Sequence, residues 1–388
     1  MSKKIVVGID IGTYQVKVVI AELTKNKNGK KVPRIIGKGL SESKGLRHGY
    51  IINTTDIVRS TQKAIEQAEE SSGIKIRKAF ISMGGISLEG LTAKGSTIIS
   101  RADLEITDLD IKKALEDSEK SISITNKKIV HTIPLESKID GKIVQGRPVG
   151  MEGSKLEIKT LFITCLKQHL EDLIQAVEEA GVEVEDVIAS PIAASFVTLT
   201  KAQKIAGCVL VNLGAETVSI VVFENNIPIS LEVFPVGSTN ITNDIALNFK
   251  IPLDEAEKIK LGYISASQYP RKKLEEIVLN RLVDIFKLID AHLKKIGRNE
   301  LLPAGVILTG GGSGITTIED LAKGMLKLPS RIASTYFSDN KSNTIKDSTW
   351  AVAYGLCISG LISGESSGIK IAKETKNKLL NWLKQFLV

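Results

Sequence analysis

VVGIDIGTYQVKVVIAE (residues 6–22) and VLVNLGAETVSIVVFEN (residues 209–225) follow one pattern, and their residues align at a constant offset of 202. Asp10 falls on Asn212, Gly12 on Gly214 and Val19 on Val221. Each copy is a β-branched run, a short glycine turn and a second β-branched run, which predicts strand, turn, strand. A tight glycine turn between strands presents backbone N–H groups to an anion. Two such hairpins half a chain apart predict an α/β protein of two related, facing lobes. The second copy is unusual in carrying Asn212 where a carboxylate would be useful and Glu216 where a small residue would fit.

A chain of 388 residues is long enough for two or more domains. Aromatic residues make up only 4%, so the core is expected to be built from Ile, Leu, Val and Ala. Cys165, Cys208 and Cys357 lie in apolar runs without paired spacing, which reads as buried reduced thiols rather than a disulfide or zinc set. The four histidines form no metal-ligand spacing. The N-terminus enters a strand directly, with no secretory leader expected, and no run approaches the roughly 20 apolar residues that span a bilayer. A formal charge of +8 suggests an acidic partner. No nucleic acid is expected, since no basic patch is interleaved with aromatics and no reader motif occurs.

Between the hairpins, residues 25–34 read as a charged loop tip. A helix is expected over 53–73, with Asn53 or Thr54 as N-cap and Gly73 as its stop, followed by the strand KAFISMGG (78–85). Residues 86–163 break the rhythm with short strands and one acidic helix, as an inserted α+β subdomain would. The stretch 167–186 reads as a helix, and SPIAASFVTL (190–199) as a small-residue helix leading into the second hairpin. Beyond it, helices are expected over 240–250, from Pro252 onward, and over 271–297.

Further residues carry chemistry. Thr13 offers a hydroxyl, Lys17 can return along its strand to a phosphate, and Asp10 is placed to hold a water on Mg²⁺. VILT followed by Gly310, Gly311 and Gly312 gives a flat ligand bare backbone to lie against, or forms a plain structural turn. Glu257 and Lys260 stand at i, i+3 on one helix face, able to reach one ligand or to pair with each other.

Taken in order, two phosphate-type hairpins, a polar helix and a late glycine turn resemble the actin-like ATPase superfamily. KGLRHGYIINTTDIVRSTQKAIEQAEESSG (44–73) and IVHTIPLESKIDGKIVQGRPVGMEGSKLEIKTLFIT (129–164) closely resemble the FtsA family of bacterial cell-division proteins. The elements His131-Thr132-Ile133-Pro134 and Pro148-Val149-Gly150-Met151-Glu152-Gly153 favour FtsA over its pilus relative PilM, and STNITNDIA (238–246) agrees.

That resemblance implies a two-lobed, ribonuclease H-like duplicated fold. The first lobe would comprise 1–85, 164–204 and 346–362, with the family's inserted subdomain at 86–163. The second would comprise 205–237 and 304–345 with a subdomain at 238–303, then a linker at 363–372 and an amphipathic helix at 373–388. It implies ATP and Mg²⁺ between the lobes. Asp10, Gly12, Thr13, Tyr14, Gln15 and Lys17 would meet phosphate, as would Asn212, Gly214, Ala215, Glu216 and Thr217. Gly237 would also bind the nucleotide, Glu257 and Lys260 would flank ribose and base, and Gly310, Gly311, Gly312 and Ser313 would back the adenosine. It implies self-assembly into filaments, other division proteins as partners, and the C-terminal tail of the tubulin-like protein FtsZ docking on 238–303. Arg281, Lys294, Lys295 and Arg298 would form a basic receiver there, or else solvated helix faces. The rival readings are a PilM-like pilus adaptor, which needs no amphipathic tail, and a small-molecule kinase of the same fold.

The family's second turn usually carries Asp and then Gly-x-Gly-Thr. Asn212 keeps shape and a hydrogen bond but takes no proton, and losing a positioned base forfeits about 10²–10⁴ in rate. Glu216 beside a γ-phosphate would cost roughly 4 kcal/mol at an effective dielectric of 20. It should therefore point away, or else supply the Mg²⁺ carboxylate that Asn212 lacks. Nucleotide binding with weak or absent hydrolysis is the expectation.

At the C-terminus, Leu379, Leu380, Trp382, Leu383, Phe386 and Leu387 fall on one stripe about 160° wide at 100° per residue. Five lysines against two glutamates from Gly364 onward favour anionic lipid. The segment thus reads as a peripheral anchor on the cytoplasmic face of the membrane at the division site, or as a helix docked on its own core.

Overall fold

The structure, a computed structural model, describes residues 4–25, 31–263, 269–334 and 347–363. Linker residues 364–372 and the 373–388 segment, with its six membrane-facing candidates, lie outside the described residues.

Both hairpins form as their β-branched runs predict. Strand β1 (Ile5–Ile11) pairs antiparallel with β2 (Gln15–Lys25), setting Asp10 opposite Lys17. Strand β12 (Cys208–Leu213) pairs antiparallel with β13 (Val218–Glu224), setting Asn212 opposite Ser219, the position 202 residues beyond Lys17. The turns also match: Gly12 N–H donates to the Gln15 carbonyl at 3.1 Å, and Gly214 N–H to that of Thr217 at 2.9 Å.

The repeat extends to whole sheets. In the first lobe the order is β11-β6-β1-β2-β3, and in the second β16-β15-β12-β13-β14. Here β3 is Lys31–Glu42, β6 Lys78–Met83 and β11 Glu183–Ala189. Their counterparts are β14 (Ile227–Phe234), β15 (Val306–Thr309) and β16 (Ser330–Ile332). β6 runs parallel to β1 and β15 parallel to β12, so the centre of each sheet is buried and mostly apolar up to the strand ends that carry Asp10 and Asn212.

Helix α4 (Ser190–Thr198) lies between the lobes, touching β6 and β11 on one side and β12 and β13 on the other. Helix α10 (Ala351–Ser363) crosses it. The crossing is close because Gly355 has no Cβ; one placed there would sit 1.7 Å from the Ala193 carbonyl oxygen. Helix α1 (Thr54–Ser72) covers β2 and β3, capped at its start by the Asn53 side chain accepting from Asp56 N–H and at its end by Gly73 at φ 70°.

The inserted segment forms a four-stranded antiparallel sheet, β7-β10-β8-β9, in chain order β7 (Glu89–Ile98), β8 (Lys127–Ile139), β9 (Lys142–Val144) and β10 (Lys155–Leu166). Helix α2 (Asp108–Lys120) packs on it over a small separate core that includes Ile106, Leu115 and Leu156. In the second lobe, α6 (Ser238–Phe249), α7 (Leu253–Lys260), α8 (Arg271–Lys295) and α9 (Ile318–Leu326) share one core with the second sheet.

Three local expectations are corrected. The helix read over 167–186 stops as α3 (Lys167–Glu179), and Glu183–Asp186 are strand β11, because pairing with β6 outweighs the helical propensity of the glutamates. Residues 31–34 belong to β3 rather than to a loop. Helix α6 starts at Ser238, two residues early, since the Asn240 side chain accepts from Gly237 N–H and closes the first turn. All three cysteines are buried and unpaired, with burial pushing the Cys165 and Cys208 thiols up to about 12.

His131 on β8 joins the inserted sheet to the first lobe: its Nε2 accepts from Ala189 N–H at 3.0 Å. Burial lowers its pKa to about 4, and protonation would set an N–H against an N–H. The folded state binds fewer protons than the unfolded one between the two pKa values. This stability is therefore full above about pH 6.5 and is lost as pH falls toward 4, by about 1.4 kcal/mol per unit at most. The urea midpoint should fall from pH 7 to pH 5, and His131→Asn should flatten that fall; an equally steep fall in the variant refutes this assignment.

Candidate functional site

A cleft of about 1640 Å³ opens between the lobes, and both glycine turns line it. Asp10 is half-buried against β6, where its Oδ1 accepts from Ser82 Oγ at 2.8 Å. Burial raises the Asp10 pKa, against the pull of Lys17 and Ser82; burial lowers that of Lys17, against Asp10 and Asp347. A largely buried cation in a cleft wall is stabilised by whatever anion comes within reach. Lys17 thus supplies a positive charge directly behind the first turn, of which Thr13, Tyr14 and Gln15 also line the cleft.

The second turn is held from behind by α6. Ser238 N–H donates to the Gly214 carbonyl at 3.0 Å and Thr239 N–H to that of Ala215 at 2.8 Å. Gly237 makes this seating possible, since a Cβ there would lie 2.3 Å from the Ala215 oxygen. Gly237 stands behind the turn and does not line the cleft. Asn212, Gly214, Ala215 and Thr217 do. Glu216 does not: its Oε2 accepts from the backbone N–H of His48 in the first lobe at 2.5 Å. Of its two expected orientations, the carboxylate takes the one directed away from the cleft.

Glu257 and Lys260 both face the cleft and also pair with each other at 2.7 Å. Thr242 ties them together, donating to Glu257 Oε2 and accepting from Lys260 Nζ at 2.8 Å. The third run, Gly310 to Gly312, lines the same cleft, with Gly310 at φ 87° against the Asn212 side chain. Ser313 is buried and donates to the Gly310 carbonyl at 2.7 Å, so it braces the turn instead of facing the cleft. Helix α9 starts only at Ile318, and Gly311–Gly314 form a single 3₁₀ turn.

Three of the four residues expected to form the basic receiver are paired within the protein. Arg281 makes two bonds to Asp244, at 2.7 and 2.9 Å, and Arg298 two to Glu224, at 2.5 and 3.0 Å. Bidentate guanidinium–carboxylate pairs consume the planar fork that would grip a partner's carboxylate. These two arginines fasten α6 to α8 and the α8 terminus to β13. Lys294 pairs with Asp290 at 2.7 Å, in the i, i+4 spacing of a solvated face.

Sequence reading missed Ser82, Thr242 and Asp347. Ser82 carried a signal in the duplication: Ile9 stands beside Ile81 as Val211 stands beside Leu308, so the residue after each neighbours Asp10 or Asn212. Thr242 and Asp347 carried none, since only packing brings them in. Among the described residues, no group of three or more His, Cys, Asp or Glu is arranged to hold a metal. A Mg²⁺ ion carried in on phosphate oxygens would keep most of its waters, and Asp10, on the cleft lining beside the first turn, could hold one of them.

Two sheets of matching order, each ending in a glycine turn on a shared cleft, define an actin-like fold. Its solved relatives include the PilM–PilN type IV pilus biogenesis complex (16% identity, 92% of this chain and 98% of that chain, TM-score 0.68). They also include MreB5 of Spiroplasma citri bound to ADP (13%, 92% and 95%, TM-score 0.52). At such identities the likeness shows the fold alone.

Sequence relationships give the particular family. The family described as cell division protein FtsA matches residues 209–355, and the SHS2 domain inserted in FtsA matches 85–164. Cell division protein FtsA of Buchnera aphidicola subsp. Baizongia pistaciae is 30% identical over 375 residues, 89% of this chain and 87% of that protein. That of Pseudomonas aeruginosa is 28% identical over 392 residues, 96% and 92%. The chain belongs to the FtsA family of cell-division proteins.

Proposed function

We propose that this chain is an ATP-binding, filament-forming adaptor of the bacterial division ring, which tethers the C-terminal tail of FtsZ to the cytoplasmic face of the membrane. The observation that carries the nucleotide part is the meeting of both turns, Lys17, the Glu257–Lys260 pair and the Gly310 turn on one cleft. The ADP-bound MreB5 of the same fold supports it. When bound, Mg²⁺ would neutralise phosphate charge beside Asp10. The division role rests on the family, and the SHS2 match favours it over a pilus adaptor. FtsZ docking on 238–303 would have to use groups other than Arg281 and Arg298. Anchoring rests on the 373–388 sequence, and self-assembly would let weak anchors act in parallel.

Hydrolysis should be slow. Asn212 accepts no proton, and Glu216 is committed to His48. Titrating fluorescent ATP with Mg²⁺ into the full chain tests binding, and no saturable signal would refute it. For Asn212→Asp, phosphate release should rise about 10²-fold or more, because a base is restored where the turn faces the cleft. An unchanged rate would remove Asn212 as the cause of slow turnover.

A further inference from the structure

The short loop around His48 and Gly49 bonds to three parts of the molecule: the second lobe, the residues leading into the inserted sheet, and helix α3. It is the tip of a small hairpin, β4 (Leu46–Arg47) and β5 (Tyr50–Ile51). Toward the second lobe, the His48 backbone N–H donates to Glu216 Oε2, and its ring Nδ1 lies 3.2 Å from the Glu216 carbonyl oxygen. Toward the inserted sheet, the His48 carbonyl accepts from Ile86 N–H at 3.1 Å.

Behind the tip, His169 on α3 fixes the same loop. Its Nε2 lies 2.5 Å from the Gly49 carbonyl, which can only accept, so Nε2 carries the proton. Its Nδ1 then accepts from Ser87 Oγ at 2.6 Å, two residues before β7 begins. Burial lowers the His169 pKa, in keeping with this neutral form, and Tyr50 stacks on the ring at 4.6 Å.

The backbone here is held in an unfavourable state. His48 has φ 49° without being glycine, and Gly49 at φ 89° lies so close to Gly85 that a Cβ would be 2.4 Å from its Cα. Left-handed backbone at a bulky residue persists when its surroundings enforce it. Glu216 is the enforcing contact that comes from the other lobe.

We propose that Glu216 is an interlobe latch. Through the His48–Gly49 loop, it couples the position of the second glycine turn, Gly214–Thr217, to residues 84–90 at the root of the inserted sheet. A shift of the turn by a ligand in the cleft would pull or release the His48 amide. The rigid contacts to Ile86 and His169 would then carry that displacement to β7. The latch belongs to the ligand-free protein and does not depend on which ligand the cleft takes.

The test is hydrogen exchange, read by mass spectrometry on the full chain without nucleotide. In Glu216→Ala, amides of 46–51 should exchange about 10- to 100-fold faster, as loss of a charge-assisted hydrogen bond implies. Residues 84–90 should accelerate with them, while the interior of α8 keeps its protection. Acceleration confined to 46–51 would overturn the coupling, and none in either segment would overturn the latch. If the alanine protein does not fold, Glu216→Gln, which keeps an acceptor without charge, should show the same two segments accelerated a few-fold; the wild-type pattern there would overturn the proposal.

Discussion

A Gly311→Leu protein should fold as the wild type does and lose at least about 100-fold in ATP affinity, close to 2.7 kcal/mol. A Cβ at Gly311 meets no protein atom within 4 Å and the residue lines the cleft, so a side chain there extends into the cleft where the nucleotide is proposed to lie. Its neighbour behaves in the opposite way. A Cβ at Gly310 would stand 2.3 Å from Asn212 Oδ1 and 2.5 Å from the Leu213 carbonyl oxygen, on backbone at φ 87°. Gly310→Ala should therefore lower stability, by about 1–3 kcal/mol from backbone strain alone and more from the overlap. Paired thermal unfolding and fluorescent-ATP titration distinguish the two. If Gly311→Leu binds ATP as tightly as wild type, the glycine turn does not back the nucleotide, and the proposed site is wrong.

The second large effect concerns the membrane. Removing residues 373–388 should reduce co-sedimentation with vesicles containing phosphatidylglycerol to background. The deleted segment carries six apolar residues on one helical stripe and four lysines, each worth about 1 kcal/mol near an anionic surface. Binding by the full chain should weaken as salt rises, because exposed charges are screened within about 10 Å at 0.1 M. ATP titration of the truncated protein provides the control: it should match the full chain. Undiminished vesicle binding after truncation would remove the tail as the anchor.

The degree to which the site could be read from sequence followed how local its geometry is. Asp10, Gly12 and Lys17 lie on one hairpin, and strand register alone sets Asp10 across from Lys17. The i, i+3 spacing of Glu257 and Lys260 anticipated both their pairing and their shared face. Reading failed where a partner comes from a distant element. Arg281 and Arg298 look like free cations in a helix sequence, and only the docking of α6 and β13 supplies Asp244 and Glu224. The strand Glu183–Ala189 looked helical because its glutamates favour helix locally, and β6 decided otherwise.

The sequence alone determined the duplication, and with it two lobes, two glycine turns and their order along the chain. It could do so because strand periodicity and the glycine requirement of tight turns are properties of a few adjacent residues. The direction of the Glu216 carboxylate was a tertiary decision. Local chemistry allowed the phosphate side or the opposite side with similar ease. Packing of the 46–51 hairpin put a backbone N–H from the other lobe within 2.5 Å, and that charge-assisted bond holds the carboxylate out of the cleft lining.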